Sequence, residues 1–159
     1  MGASGDMLTG ALLDLIPDPA RFFELMRAFE PLGVKLTAER TASGGLCGQR
    51  VHVEIFGEEE HAHGHVHEHV HHHVHSGPGS IYRHIDALTA LPERVRADAK
   101  AVYDHIAEAE SRVHGQTVEH VHFHEVGALD AMCDVTAVCL LVELLGRPEI
   151  VASPVHVGS

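Results

Sequence analysis

A run of histidines between His61 and His75 carries the clearest chemistry in this sequence. Every odd-numbered position of the run is histidine, and one even-numbered position is as well. Imidazole is a strong ligand for zinc, nickel, copper and iron, and no packing requirement calls for such a pattern. The run therefore predicts transition-metal binding. Its candidate ligands are His61, His63, His65, His67, His69, His71, His72, His73 and His75.

The flanks of the run predict that it is an insertion. Three glutamates at 58–60 precede it, and Ser-Gly-Pro-Gly at 76–79 follows it. Such flanks are typical of a loop between ordered elements. We expect a mobile, metal-collecting insertion at 58–79, because its composition is too polar to build a core. An ordered strand with a histidine face remains open, whereas an expression tag is disfavoured because the run is internal.

A second group of histidines lies between residues 118 and 124. If this segment is extended, His120, His122 and His124 share one side of a strand, and Val121 and Phe123 share the other. Three imidazoles on one strand face could form part of a metal site. The alternative is that these histidines are ordinary surface residues.

Carboxylates follow directly, at the start of an apolar helix expected over 128–145. Asp130 and Asp134 are four residues apart, so they share one face of that helix. Burying them is costly unless they are paired or coordinated. We therefore group His122, His124, Glu125, Asp130 and Asp134 in one candidate site that binds a metal, or positions a substrate and moves its protons. The alternative for Asp130 is a favourable interaction with the helix dipole.

The first residues form a candidate ligand-binding turn. Gly2, Ser4 and Gly5 are small enough for backbone N–H groups at a helix start to approach a phosphate or carboxylate. Asp6 lies in the first helical turn and joins the candidate catalytic residues. The alternative is a well-capped helix with Ser4 as its N-cap.

Apolar periodicity predicts an α+β (or α/β) fold, with a small mixed sheet that contains a hairpin and is covered by helices. The predicted sheet combines the hairpin, with strands near 34–38 and 51–55 and a loose glycine-rich connection, with strands near 118–124 and 150–157. Helices are expected to begin at Ser4, Asp18, Ser80 and Glu93, and the apolar helix 128–145 is expected to be central. The predicted core face of the first helix comprises Met7, Leu8, Ala11, Leu12 and Leu15. That of the helix from Glu93 comprises Val95, Ala99, Val102, Ile106, Ala109 and Val113.

Composition narrows the class of protein. The formal net charge of −12 disfavours nucleic-acid binding and suits attraction of metal cations. The three cysteines are too few and too widely spaced for a disulfide framework, which indicates a reducing, cytoplasmic setting. The longest apolar stretch contains Asp134 and Glu143, so no membrane span is expected. No secretory signal is expected either.

Three segments together resemble the nickel insertion protein (LarC) family. They are Gly-Ala-Ser-Gly-Asp-Met-Leu-Thr-Gly-Ala-Leu-Leu-Asp at 2–14, Ala-Glu-Ser-Arg-Val-His-Gly at 109–115 and Val-His-Phe-His-Glu-Val-Gly-Ala-Leu-Asp at 121–130. The resemblance implies nickel insertion into pyridinium-3,5-bisthiocarboxylic acid mononucleotide. That reaction forms one nickel–carbon and two nickel–sulfur bonds and yields the nickel-pincer cofactor of lactate racemase and related enzymes.

The resemblance also implies cofactors and partners. Members hydrolyse CTP, with Mg²⁺ or Mn²⁺, at a later C-terminal part, so residues 1–159 are expected to be a single N-terminal domain of a longer protein. A homo-oligomer and an acceptor apoenzyme of the lactate racemase type are further expected partners. Two other functions stay open: a nickel storage or carrier protein without catalysis, and a zinc-dependent hydrolase built on His122, His124 and Asp130.

Overall fold

The computed structural model describes residues 4–55, 77–121, 123 and 128–154 of the chain. This part confirms the predicted α+β class. In chain order the elements are α1 (Gly5–Leu13), α2 (Pro19–Met26), β1 (Val34–Ser43), β2 (Leu46–Ile55), α3 (Pro78–Ala87), α4 (Glu93–His114) and α5 (Leu129–Leu144). Short 3₁₀ turns span Arg27–Leu32 and Val118–His120. The histidine run lies outside the described residues.

Helix α5 is the central element, as its predominantly apolar sequence predicts. It contacts α1, α2, α4 and both strands. A helix that is covered on several sides needs apolar residues around most of its circumference. Six of its side chains are fully buried: Met132, Cys133, Thr136, Ala137, Leu140 and Leu141. None of the described helices is long and apolar enough to cross a membrane.

The hairpin is more regular than the predicted loose connection. Strands β1 and β2 pair antiparallel from Val34 opposite Ile55 to Ser43 opposite Leu46. Only Gly44 and Gly45 separate them, with φ of 58° and 81°. Both angles are left-handed, a conformation that glycine adopts without steric cost and that matches the twist of a tight hairpin. The glycines therefore form a two-residue turn.

The buried face of α1 differs from the predicted one. Met7 and Leu15 are 60% and 66% exposed, whereas Thr9, Gly10 and Leu13 are buried. A Cβ on Gly10 would lie 2.5 Å from the carbonyl oxygen of Gln49. Because α1 is apolar on several sides, periodicity alone cannot select its core face. Close approach to the backbone of β2 selects the face that carries glycine.

Helix boundaries follow local chemistry with one correction. The Asp18 side chain accepts hydrogen bonds from the N–H groups of Ala20 and Arg21, which confirms the predicted start of α2. Gly115, with φ 63°, ends α4 as predicted. Helix α3 begins at Pro78 rather than at Ser80. Proline suits a first helical position because its missing N–H has no partner to lose there.

Two predicted strands do not form in the described residues. Val118–His120 is a 3₁₀ turn, and residues 147–154 have no regular secondary structure. Ile150 and Val151 are 69% and 87% exposed, so no strand or helix among the described residues covers them. Val121 and Phe123 are buried at 1% and 4% exposure, which confirms that they face the core. In the described part the sheet therefore has two strands.

All three cysteines are free thiols, as their number and spacing predict. Cys47 is exposed on the hairpin, whereas Cys133 is buried in α5. Cys139, one and a half turns further along α5, is partly buried.

Candidate active site

A cleft of about 720 Å³ opens where α1 and α5 begin, beside the end of β2. Its lining includes Asp6, Asp130 and Asp134, together with residues 51–55 of β2. We call it the acidic cleft. Asp6 and Asp130 each lie in the first turn of a helix, and Asp134 lies one turn further along α5. Three of the carboxylates predicted for chemistry therefore meet at one place.

Asp134 has the most unusual environment of the three. It is partly buried, and its Oδ1 atom has no hydrogen-bond partner among the described residues. Burial, and then the negative charges of Asp6 and Asp130, raise the pKa of Asp134 to about 6. A carboxyl group with such a pKa can accept or release a proton near neutral pH. This observation supports the predicted proton-transfer role of the residue.

The backbone of Gly5 lies directly against Asp134. A Cβ on Gly5 would be 2.5 Å from the Cβ atom of Asp134 and 2.6 Å from its Oδ2 atom. Real Cβ atoms essentially never approach so closely, so a larger residue would displace α1 or the carboxylate. Gly5 thus permits the close contact between α1 and the side chain of Asp134, which lines the cleft.

Ser4 occupies the N-cap position of α1, as predicted, but its hydroxyl group has another use. The Ser4 carbonyl accepts the first helical hydrogen bond from the N–H of Leu8 at 3.1 Å. The Ser4 hydroxyl donates to Oδ1 of Asp6 rather than capping a backbone N–H. This hydrogen bond orients the Asp6 side chain, which lines the cleft.

Asp130 combines the two roles that its sequence position left open. Its Oδ1 accepts the N–H of Ala131 at 2.8 Å, and a negative charge in the first turn of α5 is favoured by the helix dipole. It is also exposed and lines the acidic cleft. A local helix-start role therefore does not remove Asp130 from the site.

Two buried groups are influenced by the charges of the cleft carboxylates, and the sequence did not single out the first of them. Tyr103 of α4 is completely buried, and its pKa is raised by burial and by the charges of Asp130 and Asp134. Burial, with the same two charges, raises the pKa of the Cys133 thiol to about 12. Burial therefore favours the protonated thiol form of Cys133.

A repeat of apolar or small residues at every fourth position of α4 could have predicted that Tyr103 is buried. The buried face of α4 is Val95, Ala99, Tyr103 and Ala107. The predicted face continued instead through Val102 and through Val113, which is 79% exposed. Small alanines on either side of Tyr103 leave room for its ring, so the true face is less hydrophobic by residue type than the predicted one.

Phe123 connects Tyr103 to the predicted histidine group. The two rings meet edge to face, with centroids 5.6 Å apart and planes at 61°. Gly2, His122, His124 and Glu125 lie outside the described residues, as does the histidine run. Within the part of the chain that is described, no group of three or more His, Cys, Asp or Glu side chains is arranged to hold a metal ion. The three aspartates alone therefore do not form a complete metal site.

One wall of the cleft comes from a strand that the sequence did not link to the site. His52 and Glu54 contribute to the lining. His52 is exposed, as its position in the hairpin predicts, and its Nε2 lies 3.3 Å from Oε1 of Glu39 on β1. The packing of α1 and α5 against β2 brings this strand next to the aspartates.

Comparison with known proteins gives consistent results over the whole chain. The family model described as nickel insertion protein matches residues 1–159. A putative nickel insertion protein of Myxococcus xanthus is 34% identical over 158 residues, which are 99% of this chain and 37% of the relative. The chain also resembles two proteins named pyridinium-3,5-bisthiocarboxylic acid mononucleotide nickel insertion protein. That of Lactiplantibacillus plantarum is 38% identical, over 99% of this chain and 39% of the relative. That of Nocardioides sp. is 38% identical, over 99% and 36%.

The chain therefore spans between a third and two fifths of the length of these relatives. No solved structure matches it.

Proposed function

The chain belongs to the nickel insertion protein family, and we propose that its acidic cleft brings Ni²⁺ together with the organic molecule that receives it. The proposed acceptor molecule is pyridinium-3,5-bisthiocarboxylic acid mononucleotide, which appears in the names of two relatives. In the product, nickel is bound by two sulfur atoms and one carbon of the pyridinium ring. The observation that carries the proposal is the partly buried Asp134 beside Asp6 and Asp130.

The proposed role of Asp134 is to accept the proton of the ring carbon. As nickel binds this carbon, the electron pair of the C–H bond becomes the nickel–carbon bond, and the proton needs an acceptor. A carboxylate whose pKa is near the ambient pH is both present in its basic form and basic enough to take that proton. Asp134 would then pass the proton to solvent.

Charge supports binding of both reactants. None of the ion pairs among the described residues includes Asp6, Asp130 or Asp134, so their negative charges are not neutralised by lysine, arginine or histidine in that part of the chain. Such a cleft attracts a divalent cation and a positively charged pyridinium ring.

We propose that His122, His124 and Glu125 complete the nickel ligand set. Imidazole suits nickel better than carboxylate does. The two histidines precede and follow Phe123 in the chain. The ring of Phe123 packs on that of Tyr103. The charges of Asp130 and Asp134 contribute to the raised pKa of Tyr103.

The start of α1 is the proposed seat of the substrate phosphate. Gly2, Ser4 and Gly5 would present backbone N–H groups to it, as helix starts do for many anions. Asp6 and Asp134 repel a phosphate at this position. Phosphate binding should therefore be strongest when Ni²⁺ is bound in the cleft or when Asp134 is protonated.

The remaining predicted roles lie outside the cleft. We propose that the histidine run of residues 61–75 collects Ni²⁺ and supplies the cleft. CTP, with Mg²⁺ or Mn²⁺, is proposed to act only at a C-terminal part of the longer family proteins. Assembly into a homo-oligomer, transfer of the product to an apo-lactate racemase type acceptor and a cytoplasmic location also stay predictions.

Replacing Asp134 by asparagine tests the proposal. Asp134→Asn preserves size and removes both charge and basicity, so nickel incorporation into the substrate by the native full-length protein should fall about 100-fold or more. Asp86→Asn is the matched control, because Asp86 is exposed, pairs with Lys100 of α4 and does not line the acidic cleft. Full activity of a folded Asp134→Asn protein would refute the proposed role.

Deleting residues 61–75 distinguishes nickel insertion from nickel storage. An insertion protein should keep its turnover when Ni²⁺ is plentiful and lose it only when Ni²⁺ is scarce. A storage or carrier protein should lose nearly all of its bound nickel at either concentration. Equilibrium dialysis against Ni²⁺, together with the insertion assay, separates the two functions.

A further inference from the structure

The outer face of helix α1 is apolar and exposed. Steps of three, four and seven residues place its members on one side of the helix: Met7, Leu8, Ala11 and Leu15. Leu15 keeps this alignment because the C-cap residue Asp14 is still in the right-handed helical conformation. The opposite side, with Thr9, Gly10 and Leu13, is buried. Apolar residues on both sides are typical of a helix that is covered all round.

The grouping of these side chains distinguishes them from other exposed apolar residues. Single apolar side chains are normal on a protein surface, whereas a group of them marks a contact. Val102 and Val113 of α4 are exposed but about 16 Å apart along their helix. The three large side chains of the outer face of α1 lie within about 12 Å along the helix axis.

A second apolar segment lies after α5. Ile150 and Val151 favour a strand by residue type and are highly exposed. The described sheet contains only β1 and β2, so neither residue has a partner strand in that part of the chain. At both places, apolar side chains need a cover that the described residues do not provide.

The length of the relatives indicates what covers the outer face of α1. This chain accounts for 36–39% of three nickel insertion proteins, so the remaining part of each is larger than the chain itself. A contact within one polypeptide can be small, because the covalent linkage keeps both sides at a high effective concentration. A stable dimer needs roughly 20–30 residues on each side, which is far more than this face supplies.

Charge and composition disfavour two other occupants. Helices that lie on membranes combine an apolar face with lysine or arginine, which bind anionic lipids. Helix α1 has neither, and it carries Asp6 in its first turn and Asp14 directly after its end. The run at 61–75 is a poor match for an apolar face, because nine of its fifteen residues are histidine.

We propose that the outer face of α1 is the docking surface for the remaining part of the longer family protein, which meets it with apolar side chains of its own. Helix α1 is only about 14 Å long and carries Asp6 of the acidic cleft, so the docked part lies next to the cleft. The inference does not depend on the role proposed for Asp134.

Cysteine labelling of the native full-length protein tests the docking. A maleimide should modify Leu15→Cys at least about 10-fold more slowly than Val113→Cys, because docked protein covers only the first position. Val113 is the matched control, since it is 79% exposed and Leu15 is 66% exposed. Mass spectrometry gives both rates, with the exposed native Cys47 as internal standard.

Equal labelling rates would show that the outer face is open to solvent and would overturn the inference. If Leu15→Cys does not fold, Met7→Cys decides by the same comparison, because Met7 lies on the same face and is 60% exposed.

Photo-crosslinking of the full-length protein identifies the occupant. A photoreactive benzoyl-phenylalanine in place of Leu15 should form crosslinks to sequence outside residues 1–159, and the same group in place of Val113 should form few. The inference is overturned if crosslinks from position 15 fall only within residues 1–159, of the same chain or of a second copy. It is also overturned if none forms. Neither readout uses nickel insertion, so failure here leaves the proposed function standing, and failure of Asp134→Asn leaves the docking surface standing.

Discussion

The two ends of helix α5 use acidic residues in opposite ways. At its C-terminal end, Arg147 donates to Oδ2 of Asp98 at 2.6 Å and to Oε2 of Glu143 at 3.0 Å. At its N-terminal end, Asp130 and Asp134 face Asp6 across the acidic cleft, and no ion pair of the described residues includes them. At the C-terminal end, the positive charge of Arg147 offsets the negative charge of the acids. At the N-terminal end, negative charges lie together without a cation from the described residues.

This difference separates a structural role from a candidate functional one. Paired acids lower the energy of the folded chain through charge-assisted hydrogen bonds. Burial, and then the charges of Asp6 and Asp130, raise the pKa of Asp134 to about 6, so the ionised form of Asp134 opposes folding. A carboxyl group whose pKa is raised in a cleft is a candidate for binding or proton transfer. The comparison can be tested at each end.

Gly5→Ala should produce the largest effect, at the acidic end. The added Cβ would lie 2.5 Å from the Cβ of Asp134, so α1 or the carboxylate must move. We expect the free energy of unfolding to fall by about 1 to 3 kcal/mol and nickel insertion to fall with it. Thermal unfolding and the insertion assay measure the two effects.

Gly79→Ala is the control for that substitution. Gly79 lies in α3 with no atom near its Cβ position, so alanine should be tolerated and should stabilise the helix by about 0.5 to 1 kcal/mol. A Gly5→Ala protein that is as stable and active as Gly79→Ala would show that the contact with Asp134 has no role in the cleft.

The pH dependence of stability should also report on the acidic end. The folded chain binds the Asp134 proton more tightly than the unfolded chain, because the pKa is raised. The Asp134 contribution therefore favours folding at low pH and is lost as pH rises from about 4, the unfolded pKa, through about 6. Over the same range, nickel insertion should increase as the carboxylate form appears.

Urea unfolding at a series of pH values checks this expectation. Asp134→Asn should remove the decline in stability between about pH 4 and pH 6 that Asp134 causes. If the variant retains the same slope as the native chain, another group must titrate in that range and the cause assigned to Asp134 is wrong.

Arg147→Ala should have the smallest effect, at the paired end. The substitution removes the hydrogen bonds to Asp98 and Glu143, which are partly solvent-exposed, so Tm should fall by only a few degrees. Nickel insertion at saturating Ni²⁺ should not change, because none of these residues lines the acidic cleft. A loss of activity as large as that of Asp134→Asn would break the contrast between the two ends.

Local sequence predicted the features that depend on neighbouring residues. The Asp18 cap, the Gly115 stop, the apolar α5 and the shared face of Asp130 and Asp134 each follow from a few adjacent positions. Caps, left-handed glycines and helical periodicity act within one or two turns, so they can be recognised without the fold.

Other features could not be predicted because they depend on distant residues. Which side of α1 is buried depends on how closely Gly10 approaches Gln49 of β2. The segment after α5 contains Ile150 and Val151, which favour a strand by residue type, yet no partner strand lies beside them in the described part. Strand propensity is realised only when packing and pairing are present.

The sequence by itself determined the α+β class and the central apolar helix, and it supplied the candidate residues for metal and proton chemistry. Only the tertiary structure decided that Asp6 meets Asp130 and Asp134, because residues more than 120 positions apart are joined by packing and not by periodicity. It also brought Gly5 against Asp134 and Tyr103 against Phe123. The raised pKa of Asp134 is a consequence of that assembly, since burial and neighbouring charge exist only in the folded chain.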